Sequence, residues 1–150
     1  MKIIAKNKKA YFDYEILEKF EAGVVLTGQE VKSVKTRGLS LKGSYVTIDE
    51  RREVFWVGAN ISPYQPQNCP QDYHPQQPRK LLLKKSEVRH LIGKIKESGL
   101  TLIPLKVYTK KGKIKLEVGL AKGRKKFNKK ELIKKRDAQR EIRRALKGGV

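Results

Sequence analysis

The sequence predicts a mainly β domain of about five strands, a number that closes into a small barrel. Three observations carry this. The run KIKLEVGL sends Ile114, Leu116, Val118 and Leu120 one way and Lys113, Lys115 and Glu117 the other, the period-two pattern of a strand with one buried face. LTLIPLKVYT precedes it across Lys110-Lys111-Gly112, a short glycine-containing turn, so the two form a hairpin. A second hairpin joins GSYVTID to EVFWVGANI around Asp49 to Arg52. The chain has 150 residues, 38% of them hydrophobic, which supports one modest core.

The elements follow in order. ILEKFEAGVVL supplies the first strand. TGQEVKSVKTRG is a short helix that opens with Thr27 and Glu30 at capping-box spacing and stops at Gly38. After the hairpin that contains Trp56, flanked by Phe55 and Val57 and so expected in the core, SPYQPQNCPQDYHPQQP carries five prolines and five glutamines and is an irregular loop. SEVRHLIGKIKESG is a helix: Val88, Leu91, Ile92 and Ile95 fall at i, i+3, i+4 and i+7, with Ser86 as N-cap and Gly99 as stop. No internal repeat is present.

Charge is unevenly spread. The formal net charge is +21 with an isoelectric point near 10.2. The last 32 residues hold thirteen Lys and Arg against Glu131, Asp137 and Glu141. AKGRKKFNKK alone places six cations in ten positions. Like charges at this density repel, and a polyanion relieves that repulsion, so nucleic acid is the expected partner ahead of a membrane surface. The apolar stripe of the tail, Ile133, Ala138, Ile142 and Leu146, is too thin to offset the cost of ordering by itself. The chain therefore divides into a domain at 1–127 and a basic tail at 128–150, disordered when free and helical on its target. As a helix the tail aligns Lys129, Ile133, Arg136, Arg140, Arg143 and Lys147 on one face, with Glu131 and Lys135 as a supporting pair.

Other classes of function find little support. The apolar runs are far shorter than the roughly 20 residues that a spanning helix needs, and a secretory leader is not expected. The lone Cys69 cannot form an internal disulfide and fits a reducing cytoplasm as an ordinary loop thiol. His74 and His90 are the only histidines, at no metal-ligand spacing, and GLAKG is not a phosphate loop. Asp13 and Glu15 balance local charge. Neither catalysis nor a cofactor is expected.

Binding chemistry, by contrast, is abundant. Lysines 8 and 9 sit beside Tyr11, Phe12 and Tyr14, pairing phosphate contacts with aromatic faces for bases, although Tyr14 fits a core position equally well. Arg79, Lys80, Lys84 and Lys85, with Arg89, Lys94 and Lys96 on the following helix, join Lys122, Arg124, Lys125 and Lys126 as candidates for one electropositive face.

Eight stretches together resemble one family, the bacterial SsrA-binding proteins (small protein B): NKKAYFDYEI, FEAGVVLTGQEVKS, SYV, ANISPY, RKLLLKKSEV, GLTLIPLKVY, GLAKGRKKFNKKE and RDAQREIRR. The resemblance implies an oligonucleotide-binding-like closed β-barrel with two or three helices and a basic C-terminal tail. It implies an RNA-binding adaptor, not an enzyme, that grips the tRNA-like domain of transfer-messenger RNA and carries it to stalled ribosomes for trans-translation. The tail then probes the empty mRNA channel. Carried across by motif, the RNA-gripping residues are Asn7, Lys9 and Tyr14, then Glu30 and Lys32, Leu91, and the run Lys122, Gly123, Arg124, Lys125 and Lys126. Glu30 also has a competing role as the capping-box partner of Thr27. Arg79, Lys80 and Lys94 complete the candidate surface. In the tail, Lys129, Lys130, Lys134, Arg136, Arg140, Arg143 and Arg144 face the ribosome. Implied partners are transfer-messenger RNA and the ribosomal RNA of the decoding centre and mRNA channel. Alanyl-tRNA synthetase and elongation factor Tu join through the RNA, and the protein is expected to be a monomer. The chain departs from the family pattern at Gln76 and Gln77 and at Asn128, the last still able to cap a helix. A general basic ribosomal or ribosome-assembly protein is the alternative reading of the same charge and fold.

Overall fold

A computed structural model of the chain describes residues 2–65 and 73–123. Seven strands and three helices run in the order β1 (Lys2–Lys6), α1 (Lys8–Asp13), β2 (Tyr14–Val24), α2 (Gly28–Arg37), β3 (Tyr45–Ile48), β4 (Val54–Val57), β5 (Arg79–Leu82), α3 (Lys85–Ser98), β6 (Thr101–Lys110) and β7 (Lys113–Gly123). All strand pairs are antiparallel, and the sheet order is β1-β6-β7-β2-β5-β4-β3. Both expected hairpins form. Lys111 and Gly112 adopt left-handed backbone at the β6–β7 turn, the twist that a tight hairpin favours. Asp49 Oδ1 accepts from the backbone N–H groups of Arg51 and Glu53, each at 2.9 Å, and so fastens the β3–β4 turn.

Two strands exceed the expected five, β1 and β5, both short. The expected closed barrel is not closed by backbone hydrogen bonds among the described residues. The edge strands are β1 and β3, and no ladder joins them, although β3 lies close to β6. The reason is visible in the pairing of β6. Strand β1 covers only Lys106 to Thr109, which leaves the first half of β6 facing β3 across a seam.

Most buried apolar residues join one main core. Ile114, Leu116, Val118 and Leu120 of β7 are buried as their alternation requires, and Trp56 is fully buried. Helix α3 lays Val88 and Leu91 into this core, with Ile92 and Ile95 packed beside them. Its N-cap is Lys84, two residues before the expected Ser86, and the Glu87 carboxylate accepts from the Lys84 backbone N–H at 3.1 Å. Helix α2 has the capping box that its sequence encodes: Glu30 N–H donates to Thr27 Oγ1 at 3.2 Å and Thr27 N–H to Glu30 Oε1 at 3.0 Å. No helix among the described residues is long and apolar enough to cross a membrane.

Candidate nucleic-acid interface

Helix α1 was not foreseen, and it builds the first part of the site. Asn7 caps it: its Oδ1 accepts from Ala10 N–H at 3.2 Å, while its Nδ2 donates to the Pro104 carbonyl at 2.9 Å and its backbone N–H to the Leu105 carbonyl at 2.8 Å. The cap thus fixes α1 to β6, and Ala10 seals a small second core with Ile103, Leu105 and Ala121, against which Tyr14 and Ile16 pack. Lys8 and Lys9 are left on the solvent side.

A groove of about 860 Å³ opens there, along the seam between β1–α1, the segment 39–45 and the start of β6. It gathers Asn7, Lys9 and Tyr14 from the expected set. Lys6, Lys8 and Lys42 add to the cationic wall, and Asp13 is its one acid. Elsewhere carboxylates are matched with cations: Glu21 with Lys110 at 3.2 Å, Glu117 with Lys106 at 3.4 Å, and Glu53 with Lys80 at 3.8 Å. The large groove thus sets four lysines, Lys6, Lys8, Lys9 and Lys42, against the single carboxylate of Asp13.

A second groove, about 500 Å³, holds Lys94 and Lys122 with Glu15, Leu17 and Glu18. Gly123 ends β7 opposite Tyr14. Lys80 lies in a third groove of about 570 Å³, with Arg51, Arg52, Lys85 and Arg89 over an apolar floor of Val54, Leu81 and Val88. Lys32 stands apart on α2 with its ammonium 5.9 Å from the centre of the Tyr64 ring. Among the described residues the cations line several grooves rather than the one face expected.

Three expected contact residues are interior. Leu91 is fully buried, and Glu30 and Arg79 are each 2% exposed. The Arg79 guanidinium donates to Glu30 Oε2 from Nη2 at 2.7 Å and from Nε at 3.0 Å, and to the carbonyls of Ala59 at 2.6 Å and Pro75 at 2.8 Å. Tyr73 OH donates to the Ile61 carbonyl at 2.8 Å. Desolvation pushes the Glu30 carboxyl up, but the Thr27 N–H and the Arg79 guanidinium outweigh it and hold the group below its ordinary value. Both charges are saturated internally, so these residues tie α2 and the segment before β5 to the sheet instead of presenting themselves to a ligand. Period-two reading of Arg79, Lys80, Leu81 and Leu82 would have shown Arg79 sharing the buried face of Leu81. Arg124, Lys125, Lys126, Cys69 and all of the tail candidates lie outside the described residues.

Together the fold and its grooves define a small, strongly basic, sheet-based domain suited to a polyanion. The sequence matches the model of the SmpB protein family over residues 4–148, and the chain belongs to that family. Among its relatives, the SsrA-binding protein of Sulfurihydrogenibium sp. (strain YO3AOP1) is 48% identical over 99% of this chain and 97% of its own length. That of Persephonella marina is 47% identical over 100% and 97%, and that of Carboxydothermus hydrogenoformans 50% over 97% of each. A solved structure described as "tmRNA-SmpB: a journey to the center of the bacterial ribosome" superposes with a TM-score of 0.64 at 40% identity, covering 85% of this chain and 92% of the other.

Proposed function

We propose that this chain is an RNA-binding adaptor that binds the tRNA-like domain of transfer-messenger RNA and delivers it to stalled ribosomes for trans-translation. The observation that carries the reading is the convergence of Asn7, Lys9 and Tyr14 in one lysine-rich groove, in a chain whose relatives are named for binding SsrA RNA. The adaptor acts by binding alone, in the cytoplasm where ribosomes work. Residues 1–127 form the RNA-gripping domain, whose seam between β3 and β6 completes an oligonucleotide-binding-like barrel without a ladder of hydrogen bonds. Residues 128–150 form the tail that probes the vacant mRNA channel, where ribosomal RNA phosphates relieve its own repulsion. Lys94 and Lys122 extend the RNA track from the large groove, while Glu30, Arg79 and Leu91 hold its walls in place.

The test is a titration at two salt concentrations against the tRNA-like domain of transfer-messenger RNA, with an elongator tRNA as competitor. Tight binding that the competitor does not displace, and that survives removal of residues 128–150 while tagging of stalled chains is lost, is expected. Equal affinity for both RNAs that collapses with salt would overturn the reading in favour of a general basic ribosomal protein.

A further inference from the structure

The segment between α2 and β3 forms one wall of the lysine-rich groove and belongs to none of the residues so far given an RNA role. Its backbone is held at several points. Leu41 is buried, the Ser44 side chain donates to the Leu41 carbonyl at 2.7 Å and the Ser44 N–H to the same oxygen at 3.1 Å. The Lys42 N–H donates to Ser40 Oγ at 3.2 Å, and Ser40 bridges to Asn60. Gly43 takes left-handed backbone. Gly58 backs the turn so closely that a Cβ there would sit 3.1 Å from the Gly43 carbonyl. Such a loop is preorganised, and it presents two side chains. Lys42 points into the groove, and Tyr45, at the edge of the sheet, is 50% exposed although its neighbour Val46 is buried.

An exposed tyrosine on a fixed backbone, among cations and beside a groove wide enough for a nucleotide, matches the chemistry of base stacking with flanking phosphate contacts. We infer that Tyr45 is a stacking platform for one unpaired nucleotide of the bound RNA, with Lys42 on that nucleotide's phosphate across the groove from Lys8 and Lys9. This deepens the reading of the groove as an RNA site and rests on it. Exposure supports it: half of the Tyr45 side chain is open to solvent at the groove, so a flat base can reach the ring.

The experiment compares Tyr45→Phe, Tyr45→Leu and Tyr45→Ala in the full chain against the tRNA-like domain, with thermal unfolding of each and with ultraviolet cross-linking of the wild-type protein followed by mass spectrometry. The expected result is wild-type affinity for the phenylalanine variant and a loss of roughly 5- to 150-fold for the leucine and alanine variants at unchanged melting temperature. The cross-link is expected on the peptide that contains Tyr45. Unchanged affinity in the leucine or alanine variant, or a cross-link map that omits Tyr45, would overturn the inference while the wild-type protein's preference for the tRNA-like domain left the RNA reading standing. Loss of that preference in the wild-type protein would overturn both.

Discussion

Arg79 and Glu30, 49 residues apart in the chain, meet inside the protein with Nη2 and Nε of the guanidinium at 2.7 and 3.0 Å from one carboxylate oxygen. Each charge alone would be costly in this interior, and each is held further, Glu30 by the Thr27 N–H and Arg79 by the Ala59 and Pro75 carbonyls. Glu30→Gln or Arg79→Met should therefore destabilise the protein by about 3–5 kcal/mol, because either leaves the partner uncompensated. The double variant Glu30→Gln/Arg79→Met should cost clearly less than the two losses added together. Denaturant unfolding of all four proteins measures this, and strict additivity would show that the pair is not coupled.

The same pair sets an acid limit. The folded-state pKa of Glu30 lies below its ordinary value of 4.5. A carboxyl with a lowered folded pKa contributes stability that is complete above the unfolded value and is lost as pH falls through the folded one. Stability should decline as pH drops below about 4.5, and the Glu30→Gln variant, already destabilised, should decline less steeply over that range. Unfolding curves at a series of acidic pH values decide it. Parallel curves for the two proteins would place the acid sensitivity in other carboxylates.

How much of this was legible beforehand differs by element. Long alternation made β6 and β7 readable, and Thr27 with Glu30 gave α2 from spacing alone. Strand β1 escaped notice because Ile3, Ile4 and Ala5 are consecutive rather than alternating, and β5 because its cations read as surface charge although period two sets Arg79 beside Leu81. Helix α1 was missed for a different reason: KKAYFD has no apolar stripe, and what holds it is the Asn7 side chain reaching Pro104, 97 residues away. At the site, cationic composition pointed to RNA and motif resemblance to Asn7, Lys9 and Tyr14. Neither separated exposed cations from Arg79, whose fate depends on a carboxylate supplied by α2. Lys42 and Tyr45 went unnoticed because one lysine and one tyrosine carry no signal until the fold sets them beside Lys8 and Lys9.

Gly58 offers a test of the loop behind Tyr45. Its backbone is left-handed, at φ +84°, and an added Cβ would press on the Gly43 carbonyl. Gly58→Ala should cost about 1–2 kcal/mol from backbone conformation alone, and should weaken RNA binding by shifting Lys42 and Tyr45. Gly93→Ala is the contrast. That glycine lies within α3 with nothing within 4 Å of an added Cβ, so the substitution should be neutral or stabilise by up to about 1 kcal/mol. Equal melting temperatures for the two variants would contradict the close approach of Gly58 to Gly43.

Net charge alone would attract RNA to any part of so basic a chain, so local contact must be separated from the overall field. Lys8→Glu/Lys9→Glu changes charge within the large groove, whereas Lys111→Glu/Lys113→Glu makes the same change at the β6–β7 turn, beyond the opposite end of the β1–β6 ladder. Each phosphate contact contributes roughly 0.7–0.9 to the slope of log affinity against log salt, so the groove variant should lose about 1.4–1.8. The turn variant should shift affinity modestly at low salt, through the field, and keep nearly the wild-type slope, since counterions are released where phosphates are touched. Titration of both variants against the tRNA-like domain at four salt concentrations provides the slopes. Equal losses would mean that RNA contacts are spread over the whole basic surface, and the groove would lose its claim to be the site.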